Sequence, residues 1–431
     1  MPISIPIEII YLFIEASRDW MPTLLQFALV SKKCMVESRK YAFERVKLGQ
    51  RLPSPDFNCR QIKELHALMT ANIALGTYIR HLDIGMDFFR CLCIDRNLGT
   101  QELPTILLRL PALASLSFSS GRGCPPCRCD WTLWPSPLKA SIERCCSSPM
   151  ITTLHFADFI NFPHGLLTLS PNLKVLSLER IAGVAESPGE LQRPVTQSLK
   201  ALSIAGGWPV VASCVLVAPQ SFSSITKLDW HISKQEDISA LGRVAREIPR
   251  SLQELSIQLS FEVKFVPSVE GSLGRLPQVK KLVLTSDDIL VGFPADNIQL
   301  PPDLFLAGEL LQSQRELEDF IFKSTVWPQI DTTRCAIPTD IQPRSDGWKS
   351  LEELLSGLRK PPTITFHFTA CWITLPHNQS TFYVPHDLKA AFKERLMQGV
   401  HNALCQSMEA GAVTIVLDEI ARREELSKLR R

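Results

Sequence analysis

The residues best suited to chemistry in this sequence are cysteines. Cys124, Cys127 and Cys129 fall within six residues, and Cys145 and Cys146 follow. Thiolates at this spacing can fill a tetrahedral zinc shell, so Cys124, Cys127, Cys129 and Cys145 form a candidate metal site. A second pair with the usual two-residue gap is missing. The favoured interpretation is therefore an insertion loop rich in thiols, with a zinc module or zinc-dependent enzyme as the weakest alternative.

Motifs of the common catalytic and nucleotide sites are missing from the sequence. Gly121-x-Gly123 leads into the cysteine run, and no Lys-Ser or Lys-Thr pair follows a glycine-rich loop that could hold phosphate. There is no Gly-x-Ser-x-Gly and no His-Glu-x-x-His, and the nine histidines are scattered. We therefore expect a non-catalytic protein without a cofactor.

The composition argues against nucleic acid and membranes as partners. The chain has 431 residues, and 46 basic against 44 acidic side chains leave a formal charge of +2, which gives no global field for nucleic acid. No apolar run approaches the roughly 18 residues of a membrane span. The thirteen cysteines are odd in number and unevenly spread, as expected for reduced thiols in the cytoplasm or nucleus. The expected partner is a protein, with neither nucleic acid nor membrane involved.

Three short helices are predicted in the first fifty residues, and these must position any N-terminal site. Apolar side chains recur at helical spacing around Ile9 and Phe13, again from Leu24 to Val30, and a third helix is expected over Val36 to Phe43. A unit this small buries little apolar surface by itself. An exposed stripe on the first two helices favours docking on a partner, and the alternative is that the helices cap the structure that follows.

These residues resemble the F-box of fungal proteins that carry degenerate leucine-rich repeats. The matching segments are residues 5–10, 24–25, 28–33 and 39–48, so the resemblance covers about the first fifty residues. In that family the motif docks on the Skp adaptor of a Skp/cullin/F-box ubiquitin ligase. The resemblance implies the same contact here for Pro6, Ile9, Ile10, Phe13, Leu24, Leu25, Leu29 and Val30. The family usually has Trp in place of Cys34, which implies a smaller contact at that position.

Beyond residue 40, the six-residue template apolar-x-x-apolar-x-apolar recurs ten times. The copies begin at residues 43, 79, 113, 151, 173, 199, 225, 252, 279 and 317. From 173 to 279 the starts are 26 or 27 residues apart, which is the period of a leucine-rich repeat. Polar alternate positions predict short strands, and Ile238, Leu241 and Val244, with Asp237 as a possible cap, predict a helix between two of them.

Such strand-helix units stack into a solenoid whose parallel strands line the concave side, with helices and loops on the convex side. The Asn that usually follows the strand is replaced by Ile181, Gly207, Ser233, Ser260 and Asp287, so an irregular arc is expected. Wider intervals predict insertions near residues 49–78, 85–112, 119–150 and 285–316. Residues 327–348 are expected to form an extended surface loop, and the alternative is disorder. Strands are predicted over 364–368 and 413–417, and a helix over 388–404.

The sequence therefore predicts an α/β protein with three parts. These are an F-box-like helical motif over residues 1–48, a degenerate leucine-rich-repeat solenoid over 49–385 and a C-terminal helical cap over 386–431. The resemblance implies a substrate-recognition subunit that docks on the Skp adaptor, and through it on a cullin, while the arc binds an unknown protein substrate. The alternative is a repeat scaffold that binds proteins without any ubiquitin-ligase role.

Overall fold

The structure is a computed structural model, and the chain divides into two compact units. Unit 1 comprises Met1–Lys200 and Pro209–Ser221, and unit 2 comprises Ala201–Trp208 and Phe222–Arg431. The residues that it describes are 5–49, 55–85, 101–119, 129–163, 165–184, 199–211, 222–247, 251–260, 279–291, 311, 314, 316–328, 346–357, 362–371, 386–404 and 413–420.

Ten α-helices are described, and five of them, the first three, the eighth and the tenth, lie in segments where helical spacing predicted a helix. The ten helices are α1 (Ile7–Ala16), α2 (Met21–Val30), α3 (Lys32–Ala42), α4 (Pro55–Ala71), α5 (Glu102–Leu108), α6 (Ser136–Cys146), α7 (Gly165–Leu169), α8 (Gln235–Glu247), α9 (Asp346–Gly357) and α10 (His386–Ala403). Short 3₁₀ helices add Ile73–Thr77 and Trp131–Leu133. The wide intervals of the template near residues 49–78, 85–112 and 119–150 therefore hold helices, at least in their described parts.

Twelve parallel strands make the main sheet, and the structure is of the mixed α/β class. They are β1 (Arg45–Leu48), β2 (His81–Gly85), β3 (Ser115–Ser119), β5 (Thr153–Ala157), β7 (Val175–Glu179), β9 (Ala201–Ala205), β10 (Lys227–Ile232), β11 (Glu254–Leu259), β12 (Lys281–Val291), β13 (Asp319–Pro328), β14 (Thr363–Cys371) and β15 (Val413–Ile420). A second sheet contains β4 (Cys129–Asp130), β6 (Phe159–Phe162) and β8 (Ala182–Val184).

Each of the ten template copies contains a strand that begins at the third residue of the copy, and the apolar residues are aligned from strand to strand. In unit 1, Leu82 lies opposite Leu116, and Leu116 opposite Leu154. In unit 2, Leu228, Leu255, Leu282 and Phe320 are aligned in the same way. These side chains are buried, whereas the residue that follows each of them along its own strand is more accessible, because successive side chains point to opposite faces of a strand. Register is therefore set by the buried pairs.

The chain leaves two main-sheet strands through residues in left-handed conformation and so reaches the second sheet. Asp158 follows β5 with φ 61°, and Arg180 follows β7 with φ 50°. Arg180 Nε and Nη2 donate to the two carboxylate oxygens of Asp158 at 2.6 and 2.7 Å. A bidentate pair of this kind offsets the cost of the left-handed backbone. The repeated template does not predict the strands of this second sheet.

Three expectations are modified by the structure. Asp237 is the third residue of α8, and its carboxylate accepts the backbone N–H groups of Ser233 and Lys234, so it caps by reaching back. The expected loop over 327–348 is wrong at its ends, because Trp327 and Pro328 finish β13 and Trp348 lies in α9, while residues 329–345 lie outside the described residues. The segment predicted as a helical cap also contains β15, which pairs with β14.

Candidate functional site

The first candidate surface is built on α1. Pro6 precedes the helix, where a missing N–H is tolerated, and Ser17 closes it by donating its hydroxyl to Phe13 O at 2.8 Å. Ile14 is fully buried, while Ile9, Leu12 and Phe13 remain exposed. This helix therefore buries one side and leaves large apolar side chains on another.

The second helix presents a longer apolar stripe. Met21, Leu25 and Leu29 are four residues apart, which places them along one face of α2, and all three are exposed. Leu29 keeps 82% of its side-chain surface accessible. The helix ends at Ser31, whose hydroxyl accepts the backbone N–H of Cys34 at 3.1 Å and so caps α3. The apolar stripe of α2 therefore ends where Ser31 starts the next helix.

Beneath these faces lies a small core of three buried side chains. Ile14, Leu24 and Cys34 are each at most 1% exposed. The half-buried residues around them are Ile7, Ile10, Tyr11, Phe27, Tyr41 and Ala42. The core holds the three helices together and presents the exposed residues of α1 and α2 on a fixed framework.

The structure separates the eight residues that the resemblance singled out. Pro6, Ile9, Phe13, Leu25, Leu29 and Val30 are exposed, and Ile10 is half-buried. Leu24 belongs to the core, so it supports the surface from below. Cys34 is also in the core, so a larger residue there would have to fit among Ile14 and Leu24.

Sequence reasoning missed three large, exposed apolar residues on or next to α1 and α2. Leu12, Trp20 and Met21 are exposed, and Trp20 keeps 68% of its surface accessible. Met21 could have been found by its four-residue spacing from Leu25, and Leu12 by its three-residue spacing from Ile9. The α1–α2 apolar surface is defined from here on as Ile9, Leu12, Phe13, Trp20, Met21, Leu25, Leu29 and Val30.

A second candidate surface is the polar side of the main sheet. In unit 1, Asp83, Ser117 and His155 lie in register on neighbouring strands, and the Ser117 hydroxyl donates to Asp83 Oδ1 at 3.0 Å. Burial lowers the pKa of His155, against the opposing effect of Glu179. The row therefore combines a carboxylate, a hydroxyl and an imidazole whose neutral form is favoured by burial, and such groups suit recognition of a polar protein segment.

In unit 2 another row, which lies two residues earlier in the repeat than the row of Asp83, carries alternating charges. Lys227, Glu254, Lys281 and Asp319 are aligned on four strands. Lys227 Nζ lies 3.1 Å from Glu254 Oε1, and Lys281 Nζ lies 3.9 Å from the same oxygen. Because these charges compensate one another, the row carries no strong field of either sign.

The cysteine site stays a prediction, because half of its ligands are outside the described residues. Cys124 and Cys127 fall in that part of the chain, while Cys129 and Cys145 are both buried. The Cys145 thiol donates to Leu107 O at 3.4 Å, and burial raises its pKa to about 12. Among the residues that the structure describes, no three His, Cys, Asp or Glu side chains are grouped to hold a metal.

Two further findings bear on function. In the described parts of the chain, no helix is both long and apolar enough to cross a membrane. Comparison with the models of known families finds none that matches this chain, and comparison with curated proteins finds no match either.

Proposed function

We propose that this protein is the substrate-recognition subunit of a Skp/cullin/F-box ubiquitin ligase. Its α1–α2 apolar surface would dock on the Skp adaptor, and its repeats would bind a protein substrate. The protein would then act by raising the local concentration of the substrate near the ubiquitin-transfer machinery. No catalytic group of this chain is needed for that role.

The observation that carries the proposal is the exposure of large apolar side chains on α1 and α2. Leu25, Leu29 and Phe13 are each more than half exposed although the same two helices bury Ile14 and Leu24 in a core. Several large apolar side chains left exposed on two neighbouring helices favour a protein interface. Their helical spacing further supports a partner that receives a helix face in a groove.

The main sheet supports the second half of the proposal. Its strands follow one another in chain order, and each template copy contributes one parallel strand. This arrangement supports a leucine-rich-repeat solenoid, in which each unit packs only against its neighbours. The polar row from Asp83 to His155 and the charged row from Lys227 to Asp319 would then be positions for substrate contact.

A binding measurement with full-length protein tests the adaptor contact. Leu25→Asp with Leu29→Asp should abolish retention of a purified fungal Skp adaptor, because two charges would be buried in an apolar interface. Ile73→Asp is the matched control, since Ile73 is 80% exposed and lies outside the three helices. If wild-type protein does not retain the adaptor, or the double variant retains it equally well, the ligase role is wrong and the repeat scaffold without a ligase is favoured.

A further inference from the structure

Charged residues are unevenly distributed around the α1–α2 apolar surface. On α1, Glu8 and Glu15 lie four residues before and three residues after Leu12, so all three share one side of the helix. Both glutamates are exposed. The α2 sequence contains no charged residue, and Lys32 and Lys33 follow directly after Ser31. Between the two helices, Arg18 and Asp19 lie 3.7 Å apart and compensate each other. Glu8 and Glu15 are called the acidic border of the surface, and Lys32 and Lys33 its basic border.

The basic border is not neutralised within the described parts of the chain. Lys32 and Lys33 are exposed and form no ion pair there, and the nearest acid on α3, Glu37, is paired with Lys40 at 2.6 Å. The first turn of α3 contains no acidic residue. Lys32 and Lys33 in this turn repel each other, and both lie at the positive end of the α3 dipole. Both interactions are unfavourable for a positive charge. Opposite charge supplied from outside would remove this cost.

We infer that the protein docked on the α1–α2 apolar surface presents acidic side chains to Lys32 and Lys33 and basic side chains to Glu8 and Glu15. This inference rests on the proposed function and names the Skp adaptor as that protein. Its apolar contact with Leu25 and Leu29 supplies affinity, while the two charged borders set the orientation and speed of docking. A single-signed partner surface would be repelled at one of the two borders.

The test measures association rates of the full-length chain with a purified fungal Skp adaptor at low and high ionic strength. Lys32→Glu with Lys33→Glu is expected to slow association about tenfold at low salt and to flatten its salt dependence. Glu8→Lys with Glu15→Lys is expected to act in the same direction. Lys63→Glu is the control, because Lys63 is exposed and belongs to α4 rather than to the three N-terminal helices, so its reversal should leave the rate unchanged.

Unfolding does not account for the expected loss. Glutamate suits the first turn of α3 better than lysine does, so the Lys32→Glu, Lys33→Glu variant should keep or raise the melting temperature. A slower association together with an undiminished melting temperature supports the inference.

Three results would overturn it in distinguishable ways. If Leu29→Asp abolishes adaptor binding but both charge reversals leave the rate unchanged, the charged borders have no role and the proposed function still stands. If wild-type protein does not bind the adaptor, the proposed function fails and the inference with it. If sedimentation shows that the chain dimerises and that Lys32→Glu with Lys33→Glu abolishes the dimer, the surface is occupied by a second copy instead.

Discussion

Replacing Leu24 by alanine is expected to lower the free energy of unfolding of the N-terminal helices by about 3 kcal/mol. Leu24 is 1% exposed, so its removed methyl and methylene groups lose about 0.8 kcal/mol each, and the cavity adds to that sum. The core holds only two other buried side chains, Ile14 and Cys34, and its half-buried neighbours can partly collapse. The expected value therefore lies near the lower end of the range of about 2.7 to 5 kcal/mol for such substitutions.

Leu29→Ala is the matched control, since it makes the same substitution in the same helix at a side chain that is 82% exposed. It should change stability by no more than about 0.5 kcal/mol. Hydrogen exchange of the amides of α1 to α3, supported by thermal unfolding, measures both values. If the two variants are equally stable, or if Leu24→Ala costs less than about 1 kcal/mol, the core described here is wrong.

Three further outcomes are expected. Gly85→Ala should lower the melting temperature, because a Cβ would collide with the carbonyl oxygen of Gly49, the residue that follows β1, and thermal unfolding checks this. Since burial raises the pKa of Cys145 to about 12, its native thiol should react with iodoacetamide at pH 8 far more slowly than after unfolding, and rapid native labelling by mass spectrometry would contradict this. Burial lowers the pKa of His155, so the unfolded chain binds more protons and stability should fall as pH drops through about 6.5. Urea unfolding at pH 5 and pH 8 should show a smaller difference for His155→Gln than for the wild type.

The strands could be predicted because their signal is repeated and local. A single copy such as Leu252, Leu255 and Ile257 is weak, but the constant spacing of neighbouring copies indicates units that must stack. In the structure Leu255 and Ile257 lie directly opposite Leu282 and Leu284. The sequence spacing thus predicted the strands, and the structure adds their register, in which buried residues lie beside buried residues.

The candidate site was less predictable, because helical spacing does not tell which side of a helix meets its neighbours. Leu24 and Leu25 are both apolar, but one is buried by Ile14 and Cys34 and the other faces outward. Only the packing of α1, α2 and α3 distinguishes them. The second sheet was missed for a different reason, since its entry depends on the left-handed backbone of Asp158, which has no periodic signature.

Along a strand, the alternation of buried and accessible residues separates side chains that stabilise the sheet from side chains that are available for the proposed recognition. In β10, Leu228 and Trp230 are buried, while the intervening Asp229 lies on the accessible side. Trp230 is further fixed by donating its indole N–H to Asp237 O at 3.1 Å. Substitutions at Asp229 or at its in-register neighbour Ser256 should therefore alter the proposed substrate contacts with little loss of stability, because the Lys227–Asp229 ion pair at 3.7 Å is partly exposed and such pairs contribute little. A substrate-binding scan of such positions in the full-length chain can then attribute lost binding to recognition, and general unfolding at these positions would show that the accessible side is part of the core.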